Sequence, residues 1–176
     1  MAKYELRAKL PEEIDEKLAV YPEILRVLLY SRKIENVEAA EIFFNPSYEK
    51  GVHDPFLIKD MEKSVSRILD AIKKNERITI WSDYDHDGIP GGAILYNFFK
   101  KIGYENFNNY IPHRYSEGYG LNILAIERLA KEGTKLLITV DCGITDVMPV
   151  EVANKLMVDV IISDHHLTPD KLPPAY

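Results

Sequence analysis

Three short apolar runs constrain the fold of this chain more than any other feature of its sequence. They lie at residues 78–81, 136–140 and 158–162, and a further brief strand is predicted at 110–111. Segments with helical periodicity separate these runs along the chain. Because strands that alternate with helices form right-handed βαβ units, the pattern predicts an α/β fold, a parallel β-sheet flanked by helices.

The helical segments that belong to this sheet are recognised by their apolar spacing. Three follow the first strand, at residues 91–102, 122–131 and 146–156, and Asn122 is the expected N-cap of the second. A strongly amphipathic helix is predicted at 59–74, directly before the first strand. It should pack its apolar side on the sheet.

The first part of the chain has a different character. Residues 11–45 are predicted to be helical, with a separate short helix over 36–44, and residues 47–57 are predicted to form a loop. We therefore expect an N-terminal helical extension over residues 1–75 and the α/β domain over residues 76–176.

Composition narrows the class of protein. The chain has 176 residues, of which 46% are hydrophobic and 28% charged, a balance typical of soluble globular proteins. Residues 1–10 lack the apolar core of a signal peptide, no membrane-spanning segment is predicted, and the single Cys142 cannot form an internal disulfide. These features predict a cytoplasmic location.

The net charge of -6 argues mildly against a broad basic surface for nucleic acid, although a local basic groove is compatible with it.

Acidic and imidazole side chains follow each of the three apolar runs. They are Asp83, Asp85 and Asp87 after the first run, Asp141 after the second, and Asp164, His165 and His166 after the third. In open parallel sheets, ligands bind beyond the carboxyl ends of the strands. The sequence therefore predicts that one crevice collects all of these groups.

The chemistry of this set indicates a metal site. Carboxylates two residues apart in an extended segment share a face, and two like charges about 4 Å apart repel by about 4 kcal/mol at an effective dielectric of about 20. Carboxylates with neutral imidazoles suit Mn²⁺ or Mg²⁺ better than structural zinc. A bridging aspartate can hold two such ions about 3.5–4 Å apart, an arrangement that activates water for attack on phosphorus.

The same residues allow other interpretations. The pattern from Asp83 to Asp87 also begins a calcium-binding EF-hand loop, but the twelfth position, which requires Glu, is Ile94, and the preceding segment is strand-like. An acidic turn without function, a capping role for Asp141 and a buried apolar role for Cys142 are the simpler interpretations. Convergence at three strand ends favours a site.

The same segments resemble a known family. Residues 83–88 (DYDHDG), 140–144 (VDCGI) and 164–166 (DHH) are similar to the first three motifs of the DHH phosphoesterase superfamily, and residues 113–121 (HRYSEGYGL) resemble its RecJ-like, single-strand-specific exonuclease branch. The resemblance covers roughly residues 25–176. It implies a Rossmann-like DHH domain.

By this resemblance, the site would hold two manganese ions, or Mg²⁺ in their place. Asp85 would bind one ion, Asp87 and His165 the other, and Asp141 would bridge them. Asp83 would be a further ligand or would support one. The catalytic residues implied are Asp141, His165 and His166.

The resemblance also implies substrate contacts and a reaction. His166 would lie near the scissile phosphate, and Arg114 with the segment Gly118, Tyr119 and Gly120 would contact substrate phosphate. The implied activity is 5′–3′ exonuclease hydrolysis of single-stranded DNA or oligonucleotides, in DNA repair or recombination. No membrane partner is expected.

The chain departs from the family pattern at three points. His86 stands where the family usually has a small or aliphatic residue, and we interpret it as a surface group rather than an extra ligand. Pro90 replaces a small hydroxyl residue. The chain ends at Tyr176, before the fourth motif and the C-terminal DHH-associated domain, so we expect an N-terminal fragment, weakly active or inactive alone, that associates with itself or with the missing domain.

Three alternative functions stay open at this point. The first is a DHH phosphodiesterase for short oligonucleotides or cyclic dinucleotides, and a second, less favoured, is an inorganic pyrophosphatase of the same superfamily. The third is a non-catalytic DHH-fold scaffold in a replication or repair complex. The complete set of acids counts against a scaffold, because clustered like charges are costly to keep.

Overall fold

The structure, a computed structural model, describes residues 9–176. The chain divides into two compact units, one that ends at Leu57 and one that spans Ile58–Tyr176. The predicted amphipathic helix therefore belongs to the unit with the sheet, and the domain boundary at 75/76 stays a prediction. Residues 1–8, on which the prediction of no signal peptide partly depends, lie outside the described residues.

The first unit is helical. Its helices are α1 (Glu12–Lys17), α2 (Glu23–Tyr30), α3 (Val37–Phe44) and α4 (Tyr48–Gly51), followed by a single 3₁₀ turn at Pro55–Leu57. The side chain of Asn36 caps α3 by accepting a hydrogen bond from the backbone N–H of Ala39 at 2.8 Å. The core of this unit consists of Ile14, Leu18, Leu29 and Ala40.

The predicted helices of this unit are confirmed, but the predicted loop at 47–57 is partly wrong. Helix α4 and the 3₁₀ turn both fall inside it. Each is about one turn long, too short for apolar periodicity to show in the sequence. The 3₁₀ turn is instead fixed locally, because Asp54 accepts hydrogen bonds from the backbone N–H groups of Phe56 and Leu57.

The second unit contains a four-stranded sheet, with the order β2-β1-β3-β4 and parallel pairing throughout. This confirms the predicted α/β fold. The elements in chain order are α5 (Met61–Lys73), β1 (Arg77–Ser82), α6 (Gly88–Lys101), β2 (Phe107–Tyr110), α7 (Ile123–Lys131), β3 (Thr134–Val140), α8 (Val147–Lys155) and β4 (Asp159–Ser163).

Strand β2 is the element that the sequence predicted least well. We expected a strand at 110–111, whereas β2 ends at Tyr110 and contains two central asparagines. Asparagine is disfavoured in strands, but β2 is an edge strand and its side chains are satisfied. Asn108 accepts a hydrogen bond from the Thr79 hydroxyl at 2.8 Å, and Asn109 accepts one from the Ser82 hydroxyl at 3.2 Å.

The sheet buries both of its faces. On one face, Trp81 and Leu137 pack with residues of α7 and α8. On the other face, Ile80 and Ile138 pack with residues of α5 and α6, among them Phe99. Burial on both sides explains why the strands read as continuous apolar runs.

The order of the strands creates a crevice between β1 and β3. The chain moves from β1 to one side to form β2, and then crosses to the other side to form β3 and β4. This reversal leaves a gap beyond the carboxyl ends of β1 and β3, the usual ligand position in such sheets. Among residues 9–176, no helix combines the length and the apolarity that crossing a lipid bilayer requires.

Glycines allow the start of α6 to lie tightly against this edge of the sheet. A Cβ atom on Gly92 would come within 2.0 Å of the Ser82 hydroxyl oxygen, and one on Gly91 within 2.6 Å of the Val140 side chain. Helix α6 begins at Gly88, three residues before its predicted start at 91, so Pro90 lies in its first turn, where proline is tolerated.

We expect Gly92→Ala to lower the free energy of unfolding by about 1–3 kcal/mol, the range found when a packed site is overfilled. The nearest atom is the Ser82 hydroxyl oxygen, which belongs to a buried residue. In a Ser82→Ala background the penalty should therefore shrink by at least about 0.5 kcal/mol. Urea denaturation followed by tryptophan fluorescence measures both values. Equal penalties in the two backgrounds would contradict the tight approach of α6 to β1.

Candidate metal centre

Strand β1 delivers the first two acids to the crevice. The backbone N–H of Asp83 donates to the carbonyl of Val140 at 3.1 Å, which extends the pairing of β1 with β3 by one residue. The Asp83 side chain is buried, and its Oδ1 has no hydrogen-bond partner in the described part of the chain. Asp85 accepts a hydrogen bond from the backbone N–H of Gly88 at 3.2 Å, so the start of α6 orients it.

Asp141 is the central residue of the site. It follows β3 directly, and its backbone N–H donates to the carbonyl of Ser163 at 2.8 Å. Its φ of 63° lies in the left-handed region, which non-glycine residues seldom adopt and which often marks a functional site. The side chain is only 7% exposed, and neither carboxylate oxygen has a hydrogen-bond partner among residues 9–176.

His165 approaches Asp141 from the end of β4. Its Nε2 lies 3.0 Å from Oδ1 of Asp141 and 3.4 Å from Oδ2 of Asp87. The side chains of His165 and Asp87 are largely exposed, so the pair lines the open side of the crevice.

Two groups of potential ligands share Asp141. Asp83, Asp85 and Asp141 form one group, and Asp141, His165 and His166 form the other. Within each group, one ligand atom from every residue lies within 4.8 Å of the others. The structure thus brings the sequence-predicted site residues together around Asp141, with Asp87 beside His165.

His166 is held by Asp164, a residue that the sequence places in the predicted crevice without indicating its contact. Its Nδ1 lies 2.7 Å from Oδ1 of Asp164, and the same oxygen accepts a hydrogen bond from the His166 backbone N–H. Oδ2 of Asp164 accepts a hydrogen bond from the backbone N–H of Ile144 at 3.0 Å. The sequence signals for Asp164 are its position directly after a buried strand and its place in the DHH segment, residues 164–166.

The loop between β2 and α7 supplies the predicted substrate contacts. The Arg114 guanidinium lies 4.3 Å from the centre of the Tyr84 ring, beside a cleft of about 350 Å³ that Asp85 and His86 also line. His86 is exposed, and its interpretation as a surface group stays a prediction. Further along the loop, Tyr119 reaches the metal-site candidates.

Tyr119 contacts both strand ends that form the site. Its hydroxyl donates to the backbone carbonyl of Asp141 at 3.2 Å and lies 3.2 Å from Nδ1 of His166. Gly118 and Gly120 on either side have φ values of 79° and 78°. These values place both glycines in the left-handed region, which glycine adopts without steric cost.

Burial and mutual repulsion change the acidity of these groups. Burial, followed by interactions with Asp87 and Asp85, raises the pKa of Asp141 to about 6. Burial also raises the pKa of Asp83. In contrast, the Gly88 backbone N–H lowers the pKa of Asp85, and the hydrogen bond with Asp164 raises the pKa of His166.

These observations together test whether the residues fit a metal ion. Three buried carboxylate oxygens, on Asp83 and Asp141, make no hydrogen bond in the described part of the chain, whereas buried polar atoms nearly always make one. The nearest imidazole nitrogen is Nε2 of His165, 3.0 Å from Oδ1 of Asp141. A cation would bind these carboxylate oxygens and offset the burial and the repulsion that together raise the pKa of Asp141. The donor set of carboxylates and imidazoles fits Mn²⁺ or Mg²⁺, and neither group of ligand atoms includes a thiol.

Comparison with known proteins gives the family. A profile for the "DHH family, N-terminal domain" matches residues 77–176. The single-stranded-DNA-specific exonuclease RecJ of Bacillus subtilis is 36% identical over 162 residues, which are 92% of this chain and 20% of that protein. RecJ of Escherichia coli is 31% identical over 171 residues, which are 97% of this chain and 29% of that protein. The chain thus spans less than a third of the length of these relatives.

Solved structures agree with this result. Exonuclease RecJ bound to manganese superposes with a TM-score of 0.63 at 33% identity, over 67% of this chain and 30% of that chain. RecJ from Thermus thermophilus in complex with Mn²⁺ gives a TM-score of 0.61 at 25% identity, over 93% of this chain and 22% of that chain. With the profile, the motifs and the parallel sheet in agreement, the chain belongs to the DHH family.

Proposed function

We propose that this chain carries the metal-binding part of a RecJ-like exonuclease, which hydrolyses single-stranded DNA from its 5′ end. The observation that carries the proposal is the Asp141 carboxylate, which is buried, makes no hydrogen bond in the described part of the chain and is shared by two groups of potential ligands. A role in DNA repair or recombination is part of the proposal, because the curated relatives are single-stranded-DNA-specific exonucleases.

The residues would hold two manganese ions, with Mg²⁺ as the alternative. Asp85, with Asp83 behind it, would serve one ion, Asp87 and His165 the other, and Asp141 both. When bound, such ions supply a water of lowered pKa and neutralise charge on a phosphate. The observed grouping of side chains supports this assignment, because Asp141 is the member common to both groups.

The chain's own side chains would bind and orient the substrate. His166, held through Nδ1 by Asp164, keeps Nε2 available to donate to a phosphate oxygen when the ring is protonated. Arg114, stacked on Tyr84, places a positive charge beside the acidic site, and the backbone at Gly118 and Gly120 would approach the phosphate closely. We expect stabilisation of charge on the phosphate to be the largest contribution of these residues to the reaction rate. Phosphoryl transfer depends chiefly on positioning and charge stabilisation.

A titration with Mn²⁺ by calorimetry tests the metal site. We expect the wild-type chain to bind two ions and Asp141→Asn to bind both more weakly. The loss of affinity should reach about 10–100-fold, which is the loss typical for residues that only hydrogen-bond to a metal ligand. Asparagine tolerates the left-handed backbone of this position, so the variant should fold. His165→Gln should weaken one of the two ions.

His86→Gln is the matched control for His165→Gln. His86 lies in the same region but is exposed and outside both groups of ligand atoms. Its replacement should leave the affinity for Mn²⁺ unchanged. Binding that survives Asp141→Asn, or that depends on His86, would overturn the proposed arrangement.

Digestion assays test the reaction. We expect 5′-labelled single-stranded DNA to release mononucleotides in Mn²⁺, and Asp141→Asn to abolish the release. The rate should lie well below that of a full-length RecJ, because the chain spans 20–29% of the curated relatives. Faster cleavage of dinucleotides or cyclic dinucleotides than of longer strands would favour the phosphodiesterase alternative. A chain that binds no metal would favour the scaffold.

The raised pKa of Asp141 also predicts how the metal-free protein responds to pH. The folded carboxyl binds its proton more tightly than the unfolded one, because its pKa rises from 3.8 to about 6. Stability is therefore expected to fall as pH rises through this interval. Asp141→Asn should reduce the fall, whereas Asp170→Asn, at an exposed position, should not. Urea denaturation across this pH range gives the slopes, and identical slopes for all three proteins would contradict the burial of an ionised Asp141.

A further inference from the structure

We propose that Tyr119 is a positioning residue, whose hydroxyl joins the end of β3 to the end of β4 and, with Asp164, fixes the proton of His166 on Nδ1. The role of His166 at the phosphate belongs to the proposed function, and the inference rests on it to that extent. The placement of the proton can be tested without any catalytic activity.

The hydroxyl of Tyr119 makes two contacts with different strand ends. It lies 3.2 Å from the Asp141 backbone carbonyl after β3 and 3.2 Å from Nδ1 of His166 after β4. The Tyr119 ring also meets the His166 ring edge-on, with centroids 5.7 Å apart. The Tyr119 ring limits how closely the His166 imidazole can approach, and the Tyr119 hydroxyl fixes the rotation of the imidazole about its side-chain bonds.

The donors and acceptors of this network determine where the proton of His166 lies. A backbone carbonyl can only accept, so the Tyr119 hydroxyl donates to Asp141. The single hydroxyl proton is then used, and the oxygen can only accept from Nδ1 of His166. The ionised carboxylate of Asp164, 2.7 Å from the same Nδ1, also only accepts. Nδ1 therefore carries the proton, and in the neutral ring Nε2 is the free acceptor.

Local backbone geometry keeps Tyr119 in this position. Gly120 packs so closely on Asp146 that a Cβ atom would lie 2.7 Å from its Oδ2, and that oxygen accepts a hydrogen bond from the Leu121 backbone N–H at 2.7 Å. Gly118 has open space around it, so its left-handed backbone rather than crowding demands glycine. Two left-handed glycines turn the intervening tyrosine inward toward the site.

This arrangement assigns Tyr119 a role different from direct phosphate contact. Its hydroxyl is already engaged with two protein groups, so a substrate would have to displace one of them to bind it.

The test compares Tyr119→Phe with Tyr115→Phe in the metal-free chain. Phenylalanine retains the ring packing and removes only the hydroxyl, and Tyr115 lies in the same loop with its side chain exposed. Long-range ¹H–¹⁵N spectra of the imidazoles, recorded at a pH where His166 is neutral, report the tautomer. The His166 signal is assigned by its absence in His166→Gln.

We expect wild type and Tyr115→Phe to show His166 with the proton on Nδ1. Tyr119→Phe should show a shifted or averaged His166 signal while the signals of His53, His86 and His113 are unchanged. The affinity for Mn²⁺ should stay within about threefold of wild type, because the hydroxyl contacts the backbone of Asp141 and not its carboxylate. A wild-type proton on Nε2, or a His166 signal that is unaffected by Tyr119→Phe, would overturn the inference.

Two further outcomes separate this inference from the proposed function. If the chain neither binds Mn²⁺ nor releases nucleotides, the proposed function fails, but the imidazole spectra still decide the position of the proton. If Tyr119→Phe abolishes metal binding and leaves the His166 signal unchanged, Tyr119 supports Asp141 rather than His166, and the inference is wrong.

Discussion

The repulsion among carboxylates at the edge of the sheet is the constraint on which the rest of this structure depends. Asp83 and Asp141 are buried with oxygens that make no hydrogen bond in the described part of the chain, an arrangement that would normally cost stability. The surrounding fold provides the compensation. Both faces of the sheet are filled with apolar side chains, and α6 is pressed against the strand ends through glycines, so the acids cannot move apart without disturbing the core.

A consequence of this design is that metal affinity and folding stability are linked. A cation that binds the folded site and not the unfolded chain stabilises the folded state by mass action. The same cation would offset the burial and the neighbouring carboxylates that together raise the pKa of Asp141. The site is therefore a local source of instability in the metal-free chain that becomes a source of stability when it is filled.

Much of this architecture could be predicted from the sequence, because it follows from patterns of residue type and spacing that are visible in the sequence itself. Apolar runs such as 136–140 identify buried strands, Asn122 marks a helix start, and acids directly after the strands indicate the crevice. Strand β2 was predicted at 110–111 instead of Phe107–Tyr110, because Asn108 and Asn109 conceal most of it and their hydrogen bonds to the neighbouring strand are visible only in three dimensions. Periodicity cannot report side-chain pairing across a sheet.

The finer structure of the site was hidden for a similar reason, since nothing in the sequence indicates that Asp141 adopts a left-handed backbone or that Asp164 is turned inward to hold His166.

The position of Trp81 gives the protein an intrinsic optical label. It is the only tryptophan in the sequence, it is fully buried in β1, and its ring lies 4.5 Å from that of Tyr110. Two residues later the same strand reaches Asp83 and the crevice. Tryptophan emission therefore reports the integrity of the sheet that supports the acids. The helical unit before Ile58 contains no tryptophan, so it contributes no tryptophan emission to the same measurement.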